Sequence, residues 1–138
     1  MPAQRRHGGK MSTEANRREM PIFTRTFDFL TWLLPATNNF PRAHRHTFTQ
    51  RLLAAAFDLR ERLEEANLRS GAGRLERLVL ADEALARVRL YLRLASQWGW
   101  MNAGQYEHVG KMVAEIGRLL GGWQKVTTSS GNSSSQEL

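Results

Sequence analysis

The stretch FTQRLLAAAFDLRERLEEA, from Phe48 to Ala66, carries the clearest helical pattern in the sequence. Its apolar residues recur at intervals of 4, 3, 4, 4 and 3, a spacing that places side chains on one face of an α-helix. These residues are Phe48, Leu52, Ala55, Leu59, Leu63 and Ala66. The segment SGAG at residues 70–73 interrupts the pattern. We therefore predict an amphipathic helix that begins near Pro41 and ends before this segment.

A similar pattern precedes this helix and another follows it. The preceding helix is predicted to begin at Pro21, a favourable first residue, and to kink or end at Pro35. Its predicted buried stripe is formed by Phe23, Phe27, Leu30 and Leu34. The following helix is predicted from about Arg74 to Trp98, and Gly99 ends it. Its predicted buried stripe is formed by Leu75, Leu78, Leu85, Val88, Leu92 and Ala95.

A fourth helix is predicted after Asn102, a residue type that caps helix N-termini. Gly121 and Gly122 mark its predicted end, and its stripe is formed by Tyr106, Val109, Val113, Ile116, Leu120 and Trp123. Strand signals are absent, and the connections between the long helices are short, which favours antiparallel neighbours. We therefore predict an all-α fold, an antiparallel up-down four-helix bundle over residues 21–123.

Two polar segments flank the predicted bundle. Residues 1–20 are basic and lack periodicity, and residues 124–138 are rich in serine with almost no apolar side chains. We predict a disordered basic arm and a disordered Ser-rich tail. The arm lacks the apolar centre of a secretory signal, and no run approaches the roughly 18 apolar residues of a membrane helix. We therefore expect a cytoplasmic protein with no membrane partner.

The charge and the residue types narrow the classes of partner. The formal net charge is +7, and 17 of the 20 lysine and arginine residues are arginine. This balance favours polyanionic partners, because arginine offers phosphate both a charge and a planar fork of donors. The chain has no cysteine, which excludes disulfides, thiolate nucleophiles and cysteine-bound zinc.

No catalytic or metal-binding pattern is found in the sequence. It contains neither a G-x-S-x-G nucleophile motif nor a Gly-rich phosphate loop. His44 and His46 are two residues apart, so on a helix they point about 200° apart and cannot share a metal. No glutamate forms the Glu-x-x-His pair that metal-binding bundles use. We therefore predict a protein that is not an enzyme and has no catalytic residues, metal site or cofactor.

The basic residues are predicted to cluster at one end of the bundle. In an antiparallel hairpin that turns near residue 71, Arg51 lies level with about residue 91. The next turn, near residue 100, brings Lys111 to the same height, whereas most acidic residues fall at the other end. The predicted nucleic-acid-binding residues are Arg42, Arg45, Arg51, Arg87, Arg89, Arg93 and Lys111. The alternative is a solvated charged face that binds nothing.

Apolar residues also lie outside the predicted core stripes of the second and third helices. Monomers rarely expose large apolar patches, so a surplus of this kind favours contact with another subunit. The predicted oligomer interface is formed by Leu53, Phe57, Leu80, Tyr91, Leu94 and Trp98. The alternative is a wide core, since a central helix contacts two neighbours.

Several short motifs carry a resemblance to a known family. The motifs are WLLP (Trp32–Pro35), FPR (Phe40–Arg42), QRL (Gln50–Leu52), QYEH (Gln105–His108) and EIGRLLGGW (Glu115–Trp123). From about Ile22 to Trp123, the chain resembles the accessory variability determinant (Avd) proteins of diversity-generating retroelements. The wider four-helix-bundle family also contains the 23S rRNA intervening-sequence proteins. The basic arm and the Ser-rich tail lie outside the resemblance.

The resemblance implies a homopentameric barrel of bundles with a positively charged surface. It also implies a non-catalytic accessory subunit that binds the reverse transcriptase and the template RNA of the element, or DNA or an RNA–DNA hybrid. Such a subunit supports mutagenic cDNA synthesis and retrohoming, and the seven cations named above would carry the binding. Two alternatives remain: an rRNA intervening-sequence protein of unknown role, and a purely structural oligomerisation bundle.

Overall fold

The computed structural model describes the backbone of residues 19–137 and the side chains of residues 19–130. In this part of the chain there are four α-helices and no strand, which confirms the all-α prediction. The helices are α1 (Pro21–Ala36), α2 (Gln50–Asn67), α3 (Gly71–Gln97) and α4 (Ala103–Glu137). None of the described helices is long and apolar enough to cross a membrane.

The segment between α1 and α2 is helical but irregular. It consists of 3₁₀ turns at Thr37–Asn39 and Arg42–His44, followed by a π-helical turn at Arg45–Thr49 that leads directly into α2. The helical pattern therefore starts where the sequence predicts it, but its first residues form tight and wide turns before regular α-helix begins. Turns of the π type are rare and are found frequently at functional sites.

The other connections are built from glycines and capping side chains. Gly71 starts α3 with a φ of 58°, earlier than the predicted start at Arg74, and the Arg74 side chain donates a 3.0 Å hydrogen bond to the Ala66 carbonyl at the end of α2. At the end of α3, Gly99 has a φ of 77°, which a residue with a Cβ rarely adopts. The predicted cap at Asn102 is present, because Asn102 and Gln105 exchange side-chain-to-backbone hydrogen bonds of 2.9 and 2.8 Å.

The core follows the stripes predicted for α2, α3 and α4. All six residues of the opening stripe are buried, from Phe48 to Ala66. The predicted stripes of α3 and α4 are buried too, except that Leu75 is partly exposed and Tyr106 is 37% exposed. Full burial of a leucine such as Leu59 contributes about 1.5–3 kcal/mol.

The buried face of α1 differs from the predicted one. Phe27 and Leu34 are 64% and 51% exposed, whereas the buried residues are Ile22, Phe23, Thr26, Phe29 and Leu33. Thr26 can occupy the core because its hydroxyl donates a 2.8 Å hydrogen bond to the Ile22 carbonyl. The hydrophobic pattern of the sequence does not predict this face, because the polar residue Thr26 lies within it.

The C-terminal helix is longer than predicted. Its backbone continues to Glu137, past the expected end at Gly121 and Gly122 and through most of the predicted Ser-rich tail, residues 124–138. Thr127 extends the buried stripe, since it is 7% exposed and donates to the Trp123 carbonyl at 2.8 Å. Of the predicted basic arm, residues 1–18 lie outside the described residues.

Contacts between neighbouring helices follow a consistent register. Between α2 and α3, Glu65 lies 3.2 Å from Arg77, and Asp58 lies 2.9 Å from Arg87. Between α1 and α4, the rings of Phe23 and Trp123 lie 6.0 Å apart. In the same pair of helices, the rings of Trp32 and His108 lie 5.4 Å apart.

Candidate nucleic-acid interface

Two segments of the chain contain arginines but no acidic residue. The segments are residues 29–57 and 84–106, and each contains three arginines. The fold brings them together, because the Phe48 ring contacts Tyr91 at 5.6 Å and Trp98 at 5.5 Å. We call the region that they form the acid-free end of the bundle.

Arg42 and Arg45 lie at the irregular connection before α2. Both side chains are exposed and line an open pocket of about 340 Å³ together with Leu34, Phe40 and other residues of this connection. Neither arginine forms an ion pair with any described side chain. Two guanidinium groups three residues apart therefore face solvent without a neutralising partner.

Arg51 and Arg87 lie in a groove of about 540 Å³ between α2 and α3. Arg51 is exposed and, among the described residues, has no acidic partner. Arg87 differs, because its Nη2 donates a 2.9 Å hydrogen bond to Asp58 Oδ2. The sequence analysis placed most acidic residues at the other end, and it does not show that Asp58, 29 residues away along the chain, reaches Arg87.

The remaining predicted cations lie towards α4. The guanidinium of Arg89 packs over Gly117, at the place where any larger residue would put its Cβ atom. Arg93 is exposed and has no acidic partner among the described side chains. Lys111 lies 3.5 Å from Glu107, but both side chains are more than 70% exposed, so the pair contributes little.

At the opposite end of the bundle, several arginines form ion pairs with carboxylates. Arg62 lies within 4.0 Å of carboxylates of Asp58, Glu61 and Glu65, and Arg77 approaches Glu65 at 3.2 Å. Arg60 pairs with Glu64 at 2.7 Å. The predicted acidic residues of this end are therefore accompanied by arginines that pair with several of them.

The same pairing is found on α4, where Arg118 donates two hydrogen bonds to Glu115 at 2.6 and 3.0 Å. These bonds lower the pKa of the Glu115 carboxyl and raise the pKa of Arg118. Both groups therefore stay charged over a wide pH range, and Glu115 does not leave Arg118 free for another anion.

Six of the seven predicted cations belong to the acid-free end, and Lys111 lies outside its two segments. Arg42 and Arg45 line one pocket, and Arg51 and Arg87 line another. Lys111 lines a third pocket together with Arg25, Asp28 and Glu115, so this pocket contains carboxylates as well as cations. The described arginines that lack an ion pair at this end are Arg42, Arg45, Arg51, Arg89 and Arg93.

The predicted oligomer interface is divided in the same way. Leu53 lines the pocket of Arg42 and Arg45, whereas Phe57 and Tyr91 line the groove of Arg51. Phe57 and Trp98 are 43% and 51% exposed, whereas the other four residues are partly buried. Four of the six residues, Leu53, Phe57, Tyr91 and Trp98, therefore line three different pockets.

The described histidines have aromatic or amide neighbours. His44 stacks on Trp100, His108 lies against Trp32, and His46 Nδ1 is 3.4 Å from Gln50 Oε1. Within residues 19–130, no group of three or more His, Asp or Glu side chains is arranged to hold a metal ion. The stacking of His44 and Trp100 was missed by the sequence analysis, although FPRAHRHTF and WGW signal an aromatic cluster.

Comparisons with known proteins agree with this fold. A solved structure similar to the chain is that of a protein of unknown function from the S23 ribosomal protein family of Bacteroides thetaiotaomicron. The two sequences are 17% identical, the TM-score is 0.69, and the match covers 75% of this chain and 95% of that chain. At this level of identity, the likeness concerns the fold alone. No curated protein matches the sequence. The family model described as bAvd-like matches residues 20–127, which is well over half of the chain. The protein therefore belongs to the bAvd-like family of accessory variability determinants.

Proposed function

We propose that the protein is a non-enzymatic accessory subunit of a diversity-generating retroelement. It binds the template RNA and the reverse transcriptase of the element in the cytoplasm, and so supports mutagenic cDNA synthesis and retrohoming. Membership of the bAvd-like family supports this proposal. The observation that carries the RNA-binding part is the acid-free end, where every described arginine except Arg87 lacks the carboxylate partner that Arg62 and Arg77 have at the other end.

The mechanism is electrostatic. An arginine with no carboxylate partner can neutralise a phosphate and release its counterions without first breaking an ion pair. Arg42, Arg45, Arg51 and Arg93 meet this condition and are exposed. Arg87 and Lys111 contribute less, because each must first leave a carboxylate, and Arg89 must leave its contact with Gly117. Phosphate contacts of this kind position the RNA and read little of its sequence.

The assembly that we propose is a homopentamer of antiparallel up-down bundles. Two contacts between α2 and α3 support the antiparallel arrangement: Glu65 pairs with Arg77, and the earlier residue Asp58 pairs with the later residue Arg87. Exposed apolar residues support association, notably Phe27 and Leu34 on α1. A multimer would present the acid-free end several times, which raises avidity for a long polyanion without new contacts.

RNA binding is tested by reversing charge at the two ends in matched pairs. Arg51→Glu with Arg93→Glu changes two exposed arginines of the acid-free end. We expect a loss of RNA affinity of at least about tenfold, because a repulsive charge replaces each phosphate partner. Fluorescence anisotropy with a labelled single-stranded RNA measures it, and circular dichroism checks that helicity is kept.

The matched control is Arg69→Glu with Lys125→Glu, which alters net charge equally at exposed positions outside the acid-free end. This variant is expected to bind RNA with nearly the affinity of the unchanged protein. Equal losses from both variants would mean that net charge governs binding, and an unchanged affinity in the first variant would reject the site.

The polymerase partner is tested by co-purification. The tagged full chain is expressed with a reverse transcriptase encoded beside it, and the retained protein and RNA are identified. The proposal predicts recovery of the polymerase together with RNA copied from the template repeat. Recovery of rRNA alone would instead favour the intervening-sequence relative, and so would a gene position within an rRNA intervening sequence.

A purely structural role is the second candidate, and the exposed apolar residues favour it independently. Phe27, Leu34 and Leu90 are each more than 50% exposed, which is unusual for large apolar side chains on a helical monomer. Native mass spectrometry tests the assembly that both candidates need. We expect a mass near five times the 15.8 kDa of one chain, and a monomer would contradict the proposed assembly.

A further inference from the structure

An aromatic cluster lies at the tip of the acid-free end. Phe48 is its buried centre, since its ring lies 5.0 Å from Trp100 and 5.5 Å from Trp98. The π-helical turn Arg45–Thr49 carries Phe48 on one side of the cluster. The turn after α3 carries both tryptophans on the other side. The cluster therefore joins the two segments that lack acidic residues.

The turn after α3 fixes the two indoles beside each other. The Trp100 amide bonds to the Ala95 carbonyl at 2.9 Å, and the Gly99 amide bonds to the Ser96 carbonyl at 3.1 Å. These are the two hydrogen bonds of a Schellman motif, which requires the left-handed backbone that Gly99 provides. The indole rings of Trp98 and Trp100 consequently lie 5.1 Å apart.

The outer side of the cluster is open to solvent. Trp98 is 51% exposed, and His44, also exposed, lies 5.4 Å from Trp100 with its ring within 16° of parallel. These rings, with Thr47 and Phe48, line an open pocket of about 350 Å³. That volume is within the range of small-molecule sites, and the walls are flat rings on which another planar ring can stack.

No carboxylate lines this pocket, and arginines lie close to it in the chain. Arg42 and Arg45 flank His44 within two residues, and Arg93 precedes Trp98 by five. An apolar pocket with planar walls, on segments that also carry unpaired arginines, matches a ligand that is flat at its centre and anionic at its edges. A nucleobase in a single strand has this chemistry, because its phosphates lie on either side of a stacking surface.

We propose that the pocket of His44, Thr47, Phe48, Trp98 and Trp100 holds an unpaired nucleobase, so that the acid-free end prefers single-stranded nucleic acid to duplex. The proposal rests on the proposed RNA binding and adds stacking to its electrostatic mechanism. Base stacking on aromatic side chains tolerates every base and adds to phosphate contacts. A duplex cannot use the pocket, since its bases are already stacked.

The alternative partner for the exposed Trp98 is a second copy of this chain, which would cover the pocket in an oligomer. The charge argues against a two-fold contact there. Such a contact places the same surface on both copies, so Arg42, Arg45 and Arg93 of one copy would face the arginines of the other. A head-to-tail contact in the proposed pentamer would not carry this repulsion, so the assembly mass is measured in the same experiment.

The test compares three ligands of equal length with the full chain: a single-stranded RNA of about 12 nucleotides, its duplex, and an abasic strand. Trp98→Ala is expected to weaken binding of the single strand about tenfold and to leave the other two unchanged. His44→Ala removes one wall of the pocket, lies outside the core and should act in the same direction. Leu90→Ala is the control, because Leu90 is an exposed apolar residue of the acid-free end outside this pocket.

The outcomes separate the two proposals. Similar affinities of the unchanged protein for the three ligands, with no loss in either pocket variant, would overturn stacking and leave phosphate binding intact. Equal losses of affinity for all three ligands would also overturn stacking. A lower assembly mass for Trp98→Ala would overturn it too, because the pocket would then be a contact between subunits. If Trp98→Ala loses helicity, the affinities of His44→Ala for the three ligands decide whether the pocket stacks a base. No binding of any ligand would reject the proposed function and stacking together.

Discussion

Arg62 and Arg51 stand three helical turns apart on α2 and have opposite surroundings. Arg62 is partly buried and lies among three carboxylates, whereas Arg51 is exposed at the acid-free end and has no acidic partner among the described side chains. The same residue type therefore serves two purposes. Arg62 is held by carboxylates of its own helix, whereas Arg51 remains available to an external anion.

The difference follows from where acidic residues are missing, not from where arginines are added. Arginines occur along the whole bundle, but residues 29–57 and 84–106 contain no acidic residue. Exposed pairs contribute about 0–1 kcal/mol each, so their value to stability is small. A free arginine instead gives the surface a positive potential that attracts a polyanion.

The largest effect on stability is expected from removing the shared arginine of the paired end. Arg62→Ala leaves Asp58 and Glu65 without the cation that lies between them, and Glu65 then has only Arg77 across the α2–α3 contact. We expect the free energy of unfolding to fall by about 1–2 kcal/mol, measured by urea denaturation.

Arg93→Ala is the comparison at the acid-free end. It is expected to change the free energy of unfolding by less than about 0.5 kcal/mol, because this exposed side chain has no described acidic partner. RNA affinity should show the reverse order, with Arg93→Ala the weaker binder. A larger loss of stability from Arg93→Ala than from Arg62→Ala would contradict the assignment of the two ends.

A smaller effect is expected from turning a paired arginine into a free one. Asp58→Asn removes the carboxylate that holds Arg87 at 2.9 Å. RNA should then bind about three- to fivefold more tightly, since an exposed pair of this kind is worth up to about 1 kcal/mol. Asp82→Asn, which removes an exposed charge without an ion-pair partner among the described residues, serves as the control for net charge.

If both variants tighten binding equally, the gain comes from net charge and Arg87 is not part of the site. Asp58→Asn should also lower stability slightly, because Asp58 approaches Arg62 Nε at 3.2 Å. A gain in RNA affinity together with a small loss of stability is therefore the expected combination, and it would place Asp58 at the border between the two ends.

The smallest effect on RNA affinity is expected at Gly117. Gly117→Ala puts a methyl group where the Arg89 guanidinium now lies, and the flexible end of that side chain can move away at little cost. The free energy of unfolding should rise by about 0.5–1 kcal/mol, because alanine favours a helix interior over glycine. RNA affinity should not fall, since Arg89 gains freedom to reach a phosphate. A loss of stability would mean that the contact of Arg89 with α4 matters to the fold.

The sequence pattern predicted most of the bundle because its stripes are apolar and regular. The stripe from Phe48 to Ala66 is buried as predicted, and the cap at Asn102 is present. The prediction of the buried face of α1 was wrong because the polar residue Thr26 lies in the core. Its hydroxyl donates a hydrogen bond to the Ile22 carbonyl of the same helix. A hydrophobic pattern cannot reveal a polar residue whose hydrogen bond is internal.

Less of the candidate site than of the fold could be predicted from the sequence. The common height of the seven cations could be derived from turn positions, but their distribution over several pockets depends on side-chain directions. The pairing of Arg87 with Asp58 depends on the register between α2 and α3, which periodicity does not fix. Gly121 and Gly122 suggested a helix end, yet Thr127 continues the buried stripe beyond them.

The most direct test of the unpaired arginines is the dependence of RNA affinity on salt. Plotting the logarithm of the association constant against the logarithm of salt concentration gives a slope that counts neutralised phosphates, at about 0.7 per contact for a single strand. Four free arginines predict a slope near −3 per subunit, and Arg51→Gln with Arg93→Gln should make it shallower by about 1.4. The matched variant Arg69→Gln with Lys125→Gln should keep the slope of the unchanged protein. A flat slope, or the same change in both double variants, would contradict the account.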